Sequence, residues 1–243
     1  MPARLLALTA AALLPAPALA GWFADFETGI AWQGYNDVRI PGDSGTLFSL
    51  TDDLDPSSAP FYRVRLGWEI TDRHTVFVLF APLRLDASGV APVDIQFHGG
   101  TYPAGSQVYG TYRFDSYRLT YRYGLVRGQG IQVDLGLTAK IRDAAISLYG
   151  ADFRVRSDTG FVPLLSFRVA WNFAGDFGLL LDGDALAGGP GRAEDVLLAV
   201  TWRLRDDLTL RAGYRFVEGG ADTASVYNFA LVNYAVVGLT VGL

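Results

Sequence analysis

The chain has 243 residues, half of them hydrophobic, with 28 glycines, 15 Phe, 12 Tyr, 5 Trp and a formal net charge of −5. That acidity, with Lys140 as the single lysine, excludes a general nucleic-acid binder, which needs a basic surface for the phosphates. The absence of cysteine excludes a disulfide framework, a thiolate metal site, a Cys nucleophile and a lipoprotein anchor.

The first 20 residues read as a cleavable signal peptide. Arg4 supplies the positive n-region, Leu5 to Leu14 the apolar stretch, and Ala18-Leu19-Ala20 an A-x-A cleavage site before Gly21. Pro15 and Pro17 interrupt the apolar run, which is too short for a membrane helix.

From Gly21 onward the pattern has period two, in blocks close to the length of a transmembrane strand. Strand one is expected at Trp22–Val38, with Trp22, Ala24, Phe26, Ile30 and Trp32 opposing Asp25, Glu27 and Gln33. Strand two covers Phe61–Ile70, where Tyr62, Val64, Leu66, Trp68 and Ile70 oppose Arg63, Arg65 and Glu69. Strand three, Thr75–Asp86, starts apolar on both faces and ends on Arg84 and Asp86. Strand four includes Ser116–Tyr123, with Tyr117, Leu119, Tyr121 and Tyr123 against Arg118, Thr120 and Arg122. Upstream, Val108, Gly110, Tyr112 and Phe114 follow the opposite phase. A bulge near Asp115, or a strand running past the membrane, would account for the flip.

Strand five, Gly130–Leu148, alternates most cleanly: Ile131, Val133, Leu135, Leu137, Ala139 and Ile141 oppose Gln132, Asp134, Thr138, Lys140 and Arg142. Strands six to ten are expected at Phe153–Phe173, Phe177–Leu186, Asp195–Leu204, Leu208–Glu218 and Val226–Leu243. Short turns at Thr71–His74, Gly124–Gly130, Ala174–Asp176 and Arg205–Asp207 alternate with other connections, two of which are long: Arg39–Pro60 and Ala87–Gln107. The fold class is therefore all-β, an antiparallel up-and-down transmembrane barrel of about ten strands, with eight or twelve as alternatives. Pairing of Val93–Phe97 into an extra hairpin would change that count. An even count puts both termini on the periplasmic side.

A secreted sandwich would also alternate, but with its apolar face inward. Three features point to lipid instead. Trp68, Tyr121, Tyr123, Trp171, Phe173 and Trp202 lie on apolar faces just before short turns, and Phe177 just after one, as an interfacial aromatic girdle would. Tyr62, Phe216 and Phe229 are candidates for the outer girdle. The polar faces carry both signs of charge, as paired networks in a narrow lumen require. The signal peptide sends the chain out of the cytoplasm, so the expected location is the outer membrane.

On this architecture, across the chain after the signal peptide, the sequence resembles the small monomeric bacterial outer-membrane β-barrels, the group that contains opacity-type adhesins and omptin-like proteases. The resemblance implies lipid and lipopolysaccharide as surroundings, a monomer, and recognition of the last strand by the barrel-assembly machinery. Such barrels usually end in an aromatic residue; this chain ends Val241-Gly242-Leu243.

For ligand binding, the densest constellation is at the expected lumen mouth: Asp182, Asp184, Arg192, Glu194 and Asp195, with Arg168, Arg211 and Arg215 on neighbouring strands. It reads either as a site for a small polar or cationic ligand or as a salt-bridge network filling a narrow lumen, and the second reading is preferred because buried charges need partners whatever the function. No catalytic residue, metal site or cofactor is assigned. His74 falls in a short turn and His98 in a long loop; Asp52-Asp53 only superficially matches a carboxylate couple of omptin-like proteases. Asp43, Asp52, Asp53 and Asp55 make the first long loop acidic but lack EF-hand spacing. About ten strands leave a lumen near the filled limit, and inward Arg63, Arg65, Arg118, Arg122, Lys140, Arg142, Arg168, Arg203, Arg211 and Arg215 would occupy it. The expected function is a non-enzymatic barrel for envelope structure or surface interaction, with a narrow channel and an envelope enzyme acting on lipid or peptide as rivals.

Overall fold

The computed structural model describes residues 21–188 and 191–243; the signal peptide expected at residues 1–20 lies outside the described residues. Ten long strands form the barrel: β1 (Gly21–Arg39), β2 (Ala59–Glu69), β3 (His74–Ala81), β4 (Gln107–Arg127), β5 (Ile131–Tyr149), β6 (Phe153–Ala174), β7 (Phe177–Gly188), β8 (Gly191–Arg205), β9 (Leu208–Asp222) and β10 (Tyr227–Gly242). Each pairs antiparallel with the next, and β10 closes on β1 from Phe23↔Gly242 to Arg39↔Tyr227. Closure pairs every strand with both neighbours through the inner half of the barrel, the condition for strands to cross lipid, while β6 above Leu165 has no β7 partner.

Side-chain alternation sorts the two faces as the sequence requires. Leu66, Leu119, Leu137, Leu198 and Val237 point outward and stay about half exposed. Asp25, Glu27, Arg63, Arg118, Arg122 and Lys140 point inward and are buried. The girdle residues Trp68, Tyr121, Trp171, Phe177 and Trp202 are exposed on the outer face. Trp22 stacks on Trp68 with ring centroids 5.7 Å apart, and Phe177 on Trp202 at 5.8 Å. His74 opens β3, and its Nδ1 shares a hydrogen bond with the Tyr121 hydroxyl, 2.8 Å away, at this girdle.

Two expectations are corrected. There is no bulge near Asp115: β4 runs unbroken, Asp115 sits opposite Asp143, and the even residues face inward along its length. What changes at Phe114 is the lumen. Below it the inward residues are polar or charged, Ser116, Arg118, Thr120 and Arg122; above it they are Val108, Gly110 and Tyr112. Strand three also stops at Ala81. Its backbone breaks at Pro82, which cannot donate to a ladder, and pairing with β4 resumes over Arg84–Val90.

The two long loops are not loose. Phe48, Leu50 and Leu54 from the first, and Leu83, Leu85, Ile95, Phe97 and Tyr102 from the second, pack with Val108 and Leu148 into one buried cluster. Ile95–Phe97 and Gly100–Tyr102 form a separate two-stranded hairpin turned by His98 (φ 46°) and Gly99 (φ 79°), so the strand count of the barrel is unaffected. The loops are stitched together by Thr46 N–H to Gln96 O (3.0 Å) and His98 N–H to Ile40 O (2.7 Å). The Tyr102 hydroxyl donates to Leu148 O at 3.0 Å, and burial, with the Asp152 charge second, raises its pKa above the ordinary value. This apolar cap sits within the outer end of the barrel.

Candidate functional site

The inner half of the lumen is closed by one continuous ion-pair layer. Arg211 bridges Asp25 (2.6 Å) and Glu27 (2.8 Å), and Arg215 joins Glu27 (2.8 Å) to Asp195. Asp195 also accepts from Arg63 (2.8 Å) and Arg118 (2.6 Å). Arg118 continues to Asp184 (2.7 Å), while Arg122 (2.6 Å) and Arg65 (3.2 Å) meet on Asp182. Seryl and threonyl oxygens occupy much of the remaining valence: Arg122 donates to Ser166 at 2.9 Å and Thr138 to Asp184 at 2.8 Å. The inward ring of Phe77 lies under two of these cations, 4.7 Å from the Arg65 guanidinium and 5.0 Å from that of Arg122. Small inward groups on opposing strands would leave a pore; here long guanidiniums span the lumen and meet carboxylates from across it.

The constellation expected from sequence is divided by this geometry. Asp182, Asp184, Asp195 and Arg215 are brought together in the layer, buried and ion-paired, with the Arg215 Nε left without a hydrogen-bond partner among the described residues. Arg168 lies lower, paired with Asp134 at 3.0 Å. Arg192 and Glu194 do not join them, because even positions of β8 face outward. Arg192 instead pairs with Glu218 at 2.6 Å on the outer face, beside Tyr35, and lies over Phe229 at 5.0 Å. The inward residue between Arg192 and Glu194 is Ala193; the phase of β8, set by inward Asp195, Leu197 and Ala199, decides the matter. His98 is exposed at its hairpin tip, packed edge-on against Phe97, and Asp53 caps the Ser49 amide at 2.7 Å.

Above the layer lies a feature the sequence reading missed: a cavity of about 420 Å³. Its walls are mostly apolar, including Ala144, Ile146, Val162, Val217 and Val232, with Phe114 and Lys140 toward its inner end. The Lys140 ammonium is turned up against the Phe114 ring, 4.6 Å from its centroid. The barrel wall is incomplete beside this cavity. β6 and β7 pair only from Leu165↔Ala185 to Ala174↔Phe177, so β6 from Phe153 to Leu164 pairs with β5 alone. The signal available in the sequence was Pro163, a residue that cannot donate to a ladder, in a strand otherwise read as continuous.

No protein-family model and no curated protein matches the sequence. Solved structures do match in shape. The outer-membrane protease OmpT from Escherichia coli aligns over 92% of this chain and 97% of its own, with a TM-score of 0.59 and 10% identity. Neisserial surface protein A aligns over 92% and 99% with a TM-score of 0.38 and 14% identity. Ail, the attachment invasion locus protein of Yersinia pestis, aligns over 92% and 99% with a TM-score of 0.40 and 11% identity. In fold, this chain is a closed ten-stranded antiparallel β-barrel, the fold that the outer-membrane protease OmpT shows.

Proposed function

We propose that the chain is a non-conducting, non-enzymatic outer-membrane protein that serves envelope structure or surface interaction through its packed loop cap. The observation that carries this reading is the ion-pair layer: guanidiniums of Arg63, Arg65, Arg118, Arg122, Arg211 and Arg215 cross the lumen and are held by five carboxylates. Moving ions through it would require breaking buried charge pairs, which is costly. His98 lends no support to a hydrolase reading: at its exposed hairpin tip it packs against Phe97 and makes no side-chain hydrogen bond or ion pair to a carboxylate among the described residues. Lipid and lipopolysaccharide surround the barrel, the C-terminal strand addresses the assembly machinery, and the protein acts as a monomer with both termini in the periplasm. Planar-bilayer recording on folded, heat-modifiable protein tests the reading. A silent bilayer is expected; reproducible stepwise current would overturn it. Removing the loop cap should abolish surface binding while the barrel still folds.

A further inference from the structure

The cavity is charged in a way its surroundings do not balance. The layer below holds six guanidiniums against the carboxylates of Asp25, Glu27, Asp182, Asp184 and Asp195. Lys140 adds a further cation, 3% exposed, and forms no ion pair or hydrogen bond among the described residues. Higher in the same cavity, Arg142 is matched by Asp158, but Arg156 has no ion-pair partner among the described residues, and its buried Nε is unsatisfied. A buried ammonium with only an aromatic ring beside it is an expensive arrangement unless an anion completes it. The chain is acidic overall, so this local excess of positive charge is not a reflection of composition.

The remaining walls are mostly apolar, apart from Asn228 and the mutually paired Arg192 and Glu218, and the break in the barrel gives them a route to lipid. The last pair of the β6–β7 ladder, Leu165↔Ala185, lies six residues from Trp171↔Leu179 near the inner girdle. At about 3.3 Å per residue and a tilt of about 40°, that is about 15 Å up an apolar band about 25 Å tall. The break therefore opens in the outer leaflet. Phe161 on the free edge of β6 and Leu186 on the β7–β8 hairpin both line the cavity and are both exposed, so the cavity communicates with the outside between them. Its volume lies at the small end of the range for small-molecule sites, room for one acyl chain rather than the several of a lipopolysaccharide.

We propose that the cavity binds a single-chain alkyl carboxylate of about dodecanoate length, admitted from the outer leaflet through the β6–β7 break, with the carboxylate on the Lys140 ammonium and the chain along Ala144, Ile146, Val162 and Val232. A cation at the closed end of an apolar pocket selects an anionic head and an apolar tail in that order. The ion-pair layer beneath stops the ligand from crossing, so the site holds rather than conducts.

The test uses full-length barrel in phosphatidylcholine nanodiscs, with carboxyl-labelled dodecanoate observed by carbon NMR and dodecanol as the neutral competitor; empty nanodiscs give the partition background. Wild type should show a saturable, protein-bound carboxylate resonance. Lys140→Met keeps the shape and removes the charge, and should weaken dodecanoate binding at least tenfold while dodecanol binding stays within about threefold. Ala144→Trp fills the cavity and should remove both ligands. Heat-modifiable migration confirms that each variant is folded. The proposal is overturned if wild type shows no saturable dodecanoate binding, or if folded Lys140→Met binds dodecanoate as wild type does. Equal loss of both ligands in Lys140→Met, or wild-type binding of a two-chain phospholipid in place of dodecanoate, would also overturn it.

Discussion

Asp195 is the point at which the account of the lumen can be broken. Its carboxylate accepts from Arg63 at 2.8 Å, from Arg118 at 2.6 Å and from Arg215, with every partner side chain 5% exposed or less. Asp195→Ala leaves three guanidiniums facing one another with one fewer anion among them. Removing one partner of a buried pair costs about 3–5 kcal/mol, because the surviving charge stays buried and uncompensated. Three survivors place the expected loss at the upper end of that range. Asp207→Ala is the matched control: its pairing with Arg205 is at the surface, with both side chains more than half exposed, and is worth about 0–1 kcal/mol. Urea unfolding of detergent- or vesicle-refolded protein, followed by tryptophan fluorescence and confirmed by migration, measures both. A loss for Asp195→Ala no larger than that for Asp207→Ala would mean that water already solvates these guanidiniums, and the reasoning that the layer is dry and closed would be refuted.

Other outcomes follow from the same geometry. Leu137, 64% exposed on the outer face, should cost about 2–4 kcal/mol when replaced by Arg if it lies near the bilayer midplane, read from the same unfolding curves. Gly29 has φ of 144°, and a Cβ there would lie 2.0 Å from Ala235 O, so Gly29→Ala should destabilise by about 1–3 kcal/mol, with β1–β10 amides losing hydrogen-exchange protection first. Phe97→Ala removes a fully buried ring packed edge-on to Phe48 at 6.1 Å; limited proteolysis should then cut within residues 40–58 faster while the barrel core stays protected.

Much of the fold was legible because a lipid-facing strand is written in period two and a barrel repeats it. Each of the expected strands overlaps one of the ten observed, although the third ends early at Ala81, and even the interfacial ring of Trp68, Trp171 and Trp202 follows from its place before short turns. What was not legible was the chemistry of the inner face at each height. Alternation tells which residues share a face, not what that face meets. Val108, Gly110, Tyr112 and Phe114 read as a phase flip because an apolar face was equated with lipid, whereas these residues meet the cap and the cavity. The cap itself is built from scattered residues, Phe48, Leu50, Phe97 and Tyr102, whose burial depends on contacts between two loops far apart in sequence. In the candidate constellation, Asp182, Asp184, Asp195 and Arg215 were placed together by strand phase, but Arg192 and Glu194 were grouped by proximity in sequence, which the alternation of β8 contradicts. Lys140 was read as lumen filling; its lack of a carboxylate partner among the described residues is a property of three-dimensional packing alone.

Nitroxide scanning along β5 from Leu135 to Arg142 in lipid vesicles tests which medium meets which face. Labels at 135, 137, 139 and 141 should be relaxed strongly by molecular oxygen and weakly by a water-soluble nickel chelate, and labels at 136 and 138, which face the ion-pair layer, shielded from oxygen. Loss of that alternation, or nickel access at the odd positions, would contradict a barrel that turns its apolar face to acyl chains and encloses its charges.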